Sequence, residues 1–158
     1  MVNQYLRKGT KMVNILHKVG IEGASTEEVY AALTTLPGLS GWWTEDTTGA
    51  TDIGAVIAFR FAAGGFDMKV LELDPAKRVR WQVIDGPEEW IGTTVGFELR
   101  QEGDYTVVLF EHEGWREPVE FMYHCSTKWA TYLMSLKMLV EMGKGAPAPR
   151  DVKIDSWD

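Results

Sequence analysis

Residues 118–142 read PVEFMYHCSTKWATYLMSLKMLVEM, the clearest helical pattern in the sequence. Its apolar residues recur at steps of three and four, the spacing of a helix with one buried face. Pro118 suits a position in the first helical turn, and the glycines at 143 and 145 end the pattern. The sequence therefore predicts one long helix. Its buried face would carry Met122, Cys125, Trp129, Leu133, Leu136 and Val140, with His124, Lys128, Thr131 and Ser135 away from that face.

Five strand-like runs come before this helix, at about residues 53–62, 66–73, 77–84, 91–101 and 105–113. The turns between them contain Gly, Pro or Asp. None of these turns is long enough to hold a crossover helix, so consecutive strands should pair antiparallel. A further alternating run at residues 11–21 predicts a first strand.

Two short helices are predicted between the first strand and the others. Ser25 and Glu28 have the spacing of a capping box, which opens a helix whose apolar face carries Val29, Ala32, Leu33 and Leu36. Pro37-Gly38 should stop that helix, and residues 39–43 should form a second helical turn. These elements make an α+β protein with about six antiparallel strands. We expect a flexible leader at 1–10, one domain at 11–145 and an extended tail at 146–158.

Composition narrows the class of function. A net charge of −7 argues against nucleic acid and against an anionic membrane surface as partners. Cys125 is the only cysteine, which excludes an intrachain disulfide and fits a reducing compartment. The sequence shows no apolar signal-peptide core and no run long enough for a membrane span, so we expect a cytoplasmic protein. It also shows no cofactor motif and no zinc-ligand spacing, so we expect no cofactor and no metal.

Four motifs in order resemble one known family. They are Trp42-Trp43-Thr44, the run from Val70 through Pro75 into Arg78–Trp81, His112–Trp115, and the ending from Leu136 to Pro147. The chain resembles the SRPBCC or START-like superfamily, in its subgroup of homologues of the heat-shock-protein-90 ATPase activator. The resemblance implies a helix-grip fold, in which a curved sheet wraps the long C-terminal helix. It also implies a cavity between helix and sheet, used in many relatives for apolar molecules, and it supplies no catalytic residue.

Bulky side chains at alternating strand positions would face this cavity. Rigid rings across a curved sheet can line a ligand pocket, although the same rings can also fill a packed core. The inner face should carry Ile57, Phe59, Met68, Val70, Trp81, Val83, Phe97, Leu99, Val108 and Phe110. The candidate ligand-binding residues are Trp42, Trp43, Phe59, Phe66, Met68, Glu72, Trp81, Phe97, Phe110, His112, Phe121, Cys125, Trp129 and Tyr132.

Three of these candidates could carry chemistry. Glu72 shares the strand phase of Met68, so an inward carboxylate with a raised pKa is one reading and a paired or hydrated strand-end carboxylate is the other. His112 could bind a ligand or move a proton, or it could be a structural histidine. Cys125 would be a nucleophile only beside His112, and otherwise a buried inert thiol.

Three functions stay open from the sequence. The first is binding of a small apolar or aromatic molecule, with Glu72, His112 and Tyr132 orienting its polar end. The second is a polyketide cyclase- or aromatase-like enzyme that uses the same cavity. The third is a chaperone-associated interaction protein, although the larger eukaryotic activator engages the chaperone through a separate domain. Tyr123, Met134 and Met138 could also mark a homodimer contact, unless other segments cover them.

Overall fold

The computed structural model describes residues 12–156, and this range contains seven strands and three helices. In chain order they are β1 (Val13–Glu22), α1 (Thr26–Thr34), α2 (Leu36–Trp42), β2 (Asp46–Gly49), β3 (Val56–Phe61), β4 (Gly64–Asp74), β5 (Arg78–Asp85), β6 (Thr94–Glu102), β7 (Tyr105–Trp115) and α3 (Glu120–Met142). The strands form one curved antiparallel sheet in the order β1-β7-β6-β5-β4-β3-β2. The predicted α+β helix-grip fold is confirmed, and the predicted leader lies outside the described residues.

The two short helices begin at polar caps. The Ser25 side chain accepts a hydrogen bond from the Glu28 amide at 3.1 Å, and the Ser25 amide donates to the Glu28 carboxylate at 3.1 Å, which confirms the capping box. The prediction for Pro37 was wrong. Helix α1 already ends at Thr34, and Pro37 lies in the first turn of α2. A proline is tolerated there because the first helical amides have no partner within the helix.

Other boundaries also differ from the prediction. Strand β2 was not predicted, and the strand expected from residue 53 begins at Val56. Helix α3 begins at Glu120 with Val119 as its N-cap, so Pro118 precedes the helix instead of lying in its first turn. The predicted end of α3 is correct, because Gly143 follows it with φ 82°, a left-handed conformation that glycine adopts without strain.

The inner face of the sheet is the main core. All ten side chains predicted to face inward are buried, from Ile57 on β3 to Phe110 on β7. Helix α3 packs Cys125, Trp129, Leu133 and Leu136 into the same core, as its periodicity predicts. Burial of these large apolar side chains is the main source of stability for such a layer.

The segment after α3 folds back on the domain, and we call residues 145–153 the C-terminal strap. The Ala148 amide donates to the Trp43 carbonyl at 2.8 Å, and the Glu45 amide donates to the Ala148 carbonyl at 3.0 Å. The Ala146 amide donates to the Ser135 hydroxyl at 2.7 Å. Ser135 is therefore buried, contrary to its predicted outward position. None of the helices in residues 12–156 is long and apolar enough to cross a membrane.

Candidate functional site

An open groove of about 770 Å³ lies at the end of the sheet where β3 and β4 meet. The β3–β4 hairpin forms one side, and the first half of α3 forms the other. The strap contributes Ala148, Pro149, Asp151 and Lys153 to its wall. The residues after α2 and the β5–β6 loop complete it with Trp43 and Trp90.

Six of the fourteen candidate binding residues line this groove. They are Trp43, Phe66, Phe121, Cys125, Trp129 and Tyr132. The other eight do not line it, and they are Trp42, Phe59, Met68, Glu72, Trp81, Phe97, Phe110 and His112. The groove thus lies at one end of the concave face, whereas the candidate residues extend along the whole sheet.

The middle of the concave face is filled because its rings contact one another directly. The centroids of Trp81 and Phe97 lie 5.3 Å apart, and those of Phe97 and Phe110 also lie 5.3 Å apart. Phe110 then meets Trp129 of α3 at 4.5 Å. These separations are those of aromatic pairs in contact, so these rings pack as core and leave no room between sheet and helix.

The floor of the groove is a set of nearly parallel rings. Phe66 stacks on Trp90 with centroids 4.1 Å apart and planes 13° apart. Trp90 and Trp129 are inclined by only 15°, and Trp43 and Phe66 by 24°. Trp90 was not among the candidate residues, because it lies in a loop where no periodicity marks a side chain as inward. The composition of that loop, a tryptophan following Gly86 and Pro87, is the one signal that the sequence offers.

Glu72 does not reach the groove. A β-bulge between Val70 and Glu72 places Val70 opposite Trp81 and Glu72 opposite Arg80, so one extra residue enters β4. A bulge shifts the alternation of side chains by one, which turns Glu72 away from the phase of Met68. Its side chain is 39% exposed and lies 3.9 Å from the Arg78 guanidinium. The inward reading of Glu72 was wrong.

His112 is fully buried, and both of its ring nitrogens have partners. The Trp129 indole donates to Nδ1 at 3.1 Å, so the proton of the neutral ring is on Nε2 and points to the Thr93 hydroxyl at 2.8 Å. The Thr93 hydroxyl donates in turn to the Trp90 carbonyl at 2.6 Å. Burial lowers the pKa of His112 to about 3. The chain of bonds makes His112 a structural histidine that fixes two of the floor tryptophans.

Cys125 lies at the groove wall as a protonated thiol. Its sulfur accepts a hydrogen bond from the Trp90 indole at 3.4 Å. Burial raises the pKa of the thiol to about 12, so thiolate is negligible at neutral pH. Because both nitrogens of His112 are bonded elsewhere, no imidazole activates this sulfur. The arrangement supports the reading of a buried, inert thiol.

A polar cluster forms one edge of the groove, and sequence reasoning missed it. The Lys128 ammonium lies 2.5 Å from Asp151 Oδ2, and the Lys153 ammonium lies 2.8 Å from Asp151 Oδ1. The Tyr132 hydroxyl donates to the same carboxylate at 2.9 Å. Burial alone would raise the pKa of Asp151, but hydrogen bonds from Lys128, Lys153 and Tyr132 together lower it to about 2. The carboxylate is therefore ionised at neutral pH.

Lys128 was placed away from the buried face of α3, yet only 13% of its side chain is exposed. The spacing of Phe121, Cys125, Lys128 and Tyr132 along α3 could have indicated that the four share the groove side of the helix. No comparable signal marks Asp151, because its helical partners Lys128 and Tyr132 lie 23 and 19 residues earlier in the chain. Residues 12–156 contain no group of three or more His, Cys, Asp or Glu side chains placed to hold a metal ion.

Comparisons with known proteins agree with this architecture. The sequence model of the family described as "Activator of Hsp90 ATPase homolog 1-like protein" matches residues 23–141. The solved structure of the Aha1 dimer from Colwellia psychrerythraea is 50% identical, covers 84% of this chain and 99% of its own, and has a TM-score of 0.79. A search among proteins with curated descriptions found no match.

More distant structures share the fold alone. Protein MLL2253 from Mesorhizobium loti is 19% identical with a TM-score of 0.70, over 81% of this chain and 96% of its own. CalU16 from Micromonospora echinospora is 22% identical with a TM-score of 0.70, over 86% of this chain and 69% of its own. Because the family model spans most of the sheet and nearly all of α3, the match covers the groove floor as well as the core. The chain belongs to the family of Activator of Hsp90 ATPase homolog 1-like proteins, within the SRPBCC superfamily.

Proposed function

We propose that the protein binds a small planar aromatic molecule in the groove between the β3–β4 hairpin and α3. The observation that carries this proposal is the floor of near-parallel rings under an open space of about 770 Å³. That volume lies within the range of about 300–1,000 Å³ that is usual for small-molecule sites. Trp43, Trp90 and Trp129 are at most 4% exposed and back the groove, whereas the half-buried Phe61, Phe66 and Phe121 give its open space an aromatic wall.

The floor supports stacking more than hydrogen bonding. The indole N–H groups of Trp90 and Trp129 are already bonded to Cys125 and His112 inside the protein. The orientation of these rings is therefore fixed before a ligand arrives, and Phe66, which stacks on Trp90, keeps part of its own surface exposed. A preformed site of this kind loses little conformational entropy on binding. Binding would be driven by removal of apolar ligand surface from water and by ring contact.

A matched pair of tryptophan insertions tests the proposal. Ala63 is exposed and lines the groove, whereas Ala50 is exposed and lies outside it. Neutral phenylnaphthylamine should gain fluorescence with the wild-type protein, and Ala63→Trp should weaken its binding about tenfold because the added indole occupies the groove. Ala50→Trp should bind as the wild type does. Equal binding by all three proteins, or no binding by any, would remove the basis for the proposal.

Protein from its own host offers an independent measurement. Native mass spectrometry should detect a co-purified small molecule, and Ala63→Trp expressed in the same host should carry less of it than Ala50→Trp. Competition of this molecule with phenylnaphthylamine would place both in the same site. A molecule that binds without displacing the fluorescent probe would argue for a site other than the groove.

A chaperone-associated role is the second candidate, and the family match favours it. The matched family is named for activation of the Hsp90 ATPase, and the 50% identical Colwellia psychrerythraea protein is described as an Aha1. The test is the ATPase rate of a bacterial Hsp90-type chaperone with and without this protein. A concentration-dependent rise would support the role. An unchanged rate together with no pull-down of the chaperone would count against it.

The cyclase-like alternative has support from the fold alone. CalU16 and DynU16, the latter described as a putative protein in the dynemicin biosynthetic locus, are each 22% identical to this chain. Glu72 points to solvent and His112 is enclosed by Thr93 and Trp129, so neither of the proposed proton-transfer residues reaches the groove. Binding without chemistry is therefore the function that the groove supports best. A cytoplasmic location stays a prediction.

The protein is also proposed to form a homodimer through the outer face of α3. Tyr123 is 74% exposed and Met134 is 48% exposed, and Met138 continues the same helical face. The related Colwellia psychrerythraea protein was solved as a dimer, which supports a second copy as the partner for such a face. Two apolar helix faces brought together by a two-fold axis would each cover the other.

A further inference from the structure

The polar edge of the groove carries more positive than negative charge. Two ammonium groups, those of Lys128 and Lys153, share the single carboxylate of Asp151. Lys128 also donates to the Val152 carbonyl at 3.0 Å, and Lys153 donates to the Pro149 carbonyl at 3.3 Å. An ammonium group has three N–H donors. Within the described residues, each lysine thus has two oxygen acceptors and one N–H remaining for a ligand or for water.

The other acidic groups near the groove do not neutralise the excess positive charge at Lys128 and Lys153. Glu45 forms an ion pair with Arg150 of the strap, and Arg60 forms one with Asp67. Asp46 lies exposed on β2, where water screens its charge. By contrast, Lys128 is mostly buried, with its ammonium 5.0 Å from the centroid of the Tyr132 ring.

His124 of α3 also lines the groove, and it faces Asp155 at 3.9 Å. Asp155 is itself not among the lining residues, and only 6% of its side chain is exposed. Lys128, Asp151 and Lys153 line the groove together, where α3 meets the strap. Since Asp151 accepts hydrogen bonds from Tyr132 and both lysines, its own oxygens are already occupied.

We infer that the groove selects planar aromatic molecules that carry an anionic group, with the rings against the half-buried Phe66 and Phe121 and the anion beside Lys128 and Lys153. This inference rests on the proposed function, because it names the ligand class of the same groove. The strap supplies Lys153, one of the two lysines that would bind the anion. Asp151 holds both ammonium groups at the edge, and Lys153 provides the charge that Asp151 does not neutralise. An anion there gains charge-assisted hydrogen bonds that a neutral isostere cannot make.

Three probes with the same ring system separate charge from stacking. They are naphthoate, naphthamide and naphthylmethylammonium, each substituted at the same ring position and measured by quenching of tryptophan fluorescence. The wild type should bind naphthoate about fivefold more tightly than naphthamide, the size expected for a partly exposed ion pair. It should bind the ammonium probe most weakly. The preference should shrink on raising the salt from about 20 mM to about 0.5 M, because added ions screen the interaction.

Two lysines that follow α3 give matched variants. Lys153→Gln removes the excess charge but leaves Lys128 and Asp151 paired, whereas Lys144→Gln changes an exposed lysine outside the groove. Lys153→Gln should lose the preference for naphthoate and keep its affinity for naphthamide, which shows that the floor is intact. Lys144→Gln should keep both affinities.

The outcomes distinguish this inference from the proposed function. Equal affinity of the wild type for naphthoate and naphthamide would overturn the inference and leave aromatic binding standing. An anion preference that survives in Lys153→Gln would overturn the assignment to this cluster. Failure of all three probes to bind would overturn the proposed function, and the inference with it.

Discussion

Replacing His112 by glutamine tests whether the buried histidine is held neutral by the fold. Burial lowers its pKa from 6.5 to about 3, and the unfolded chain regains a value near 6.5. Between these two values the unfolded state binds one more proton than the folded state. The wild-type protein therefore loses stability as the pH falls, by about 1.4 kcal/mol per pH unit in this window. Integration from pH 7 to about pH 4.5 gives a loss of about 2.5 kcal/mol from this residue, and above pH 7 it contributes no further change.

The assay is urea unfolding followed by tryptophan fluorescence at several pH values between these limits. At pH 7, His112→Gln should be less stable by about 1–3 kcal/mol, because an amide cannot repeat both bonds to Thr93 and Trp129. The gap between wild type and variant should narrow by about 2.5 kcal/mol on going to about pH 4.5, since the variant has no proton to bind at that position. Other titrating groups, such as Glu111 and Asp151, are common to both proteins and cancel in the difference.

Thr127→Gln is the matched control, because it changes an exposed, non-titrating residue of α3 to glutamine outside the His112 network. It should follow the pH dependence of the wild type. A stability difference between wild type and His112→Gln that stays constant to within about 0.5 kcal/mol would contradict a histidine held neutral by burial. Such a result would mean that the folded protein protonates His112 as readily as the unfolded chain does.

Three further substitutions test the cap, the strap and the outer helix face. Ser25→Ala should cost about 1 kcal/mol in urea unfolding, because it removes the acceptor of the α1 capping box. Gly145→Ala should loosen the strap and speed amide exchange there, since a Cβ would lie 2.5 Å from the Gly41 carbonyl oxygen. Met134→Glu should shift the mass in light scattering toward a monomer, because it places a charge in the proposed dimer face.

Each of these three substitutions has a control substitution that should leave the measured property unchanged. Thr26→Ala removes an exposed hydroxyl that does not cap α1, so a loss as large as that of Ser25→Ala would contradict the cap. For Gly96→Ala, the added Cβ would lie 3.4 Å from its nearest atom, an ordinary contact. This variant should leave amide exchange in the strap unchanged. Ile53→Glu changes an apolar loop residue that is at least as exposed as Met134. If this variant also shifted the mass toward a monomer, the result would argue against α3 as the interface.

Local signals in the sequence were sufficient for most of the scaffold. The capping box at Ser25 depends on residues three apart, and the alternation along β3 to β7 depends on neighbours two apart. Such short-range patterns reveal which side of an element is apolar, which is why the inner face was predicted correctly. They do not reveal how closely opposing rings approach, so the filled middle of the sheet could not be told from a cavity.

The bulge at Glu72 shows a second limit. The residues of β4 alternate regularly in sequence, and nothing in Val70-Leu71-Glu72 marks an extra residue between two ladder positions. The pairing with β5 decides the matter, because Arg78 and Arg80 lie on the outer face and attract the carboxylate there. A one-residue change of register moves a side chain to the opposite face, so the inward prediction for Glu72 failed.

The strap explains why the polar edge of the groove was missed and why it bears on function. Helical periodicity places Lys128 and Ser135 outside the apolar stripe of α3. It could not show that the strap, a later segment of the chain, covers both side chains. The floor rings lie within residues 23–141, which the family model matches, whereas Asp151 and Lys153 lie beyond it. The aromatic surface thus belongs to the shared domain, and the charge beside it depends on the following segment. Relatives that keep the floor and change the strap should therefore bind ring systems of similar shape while differing in the charge that they prefer.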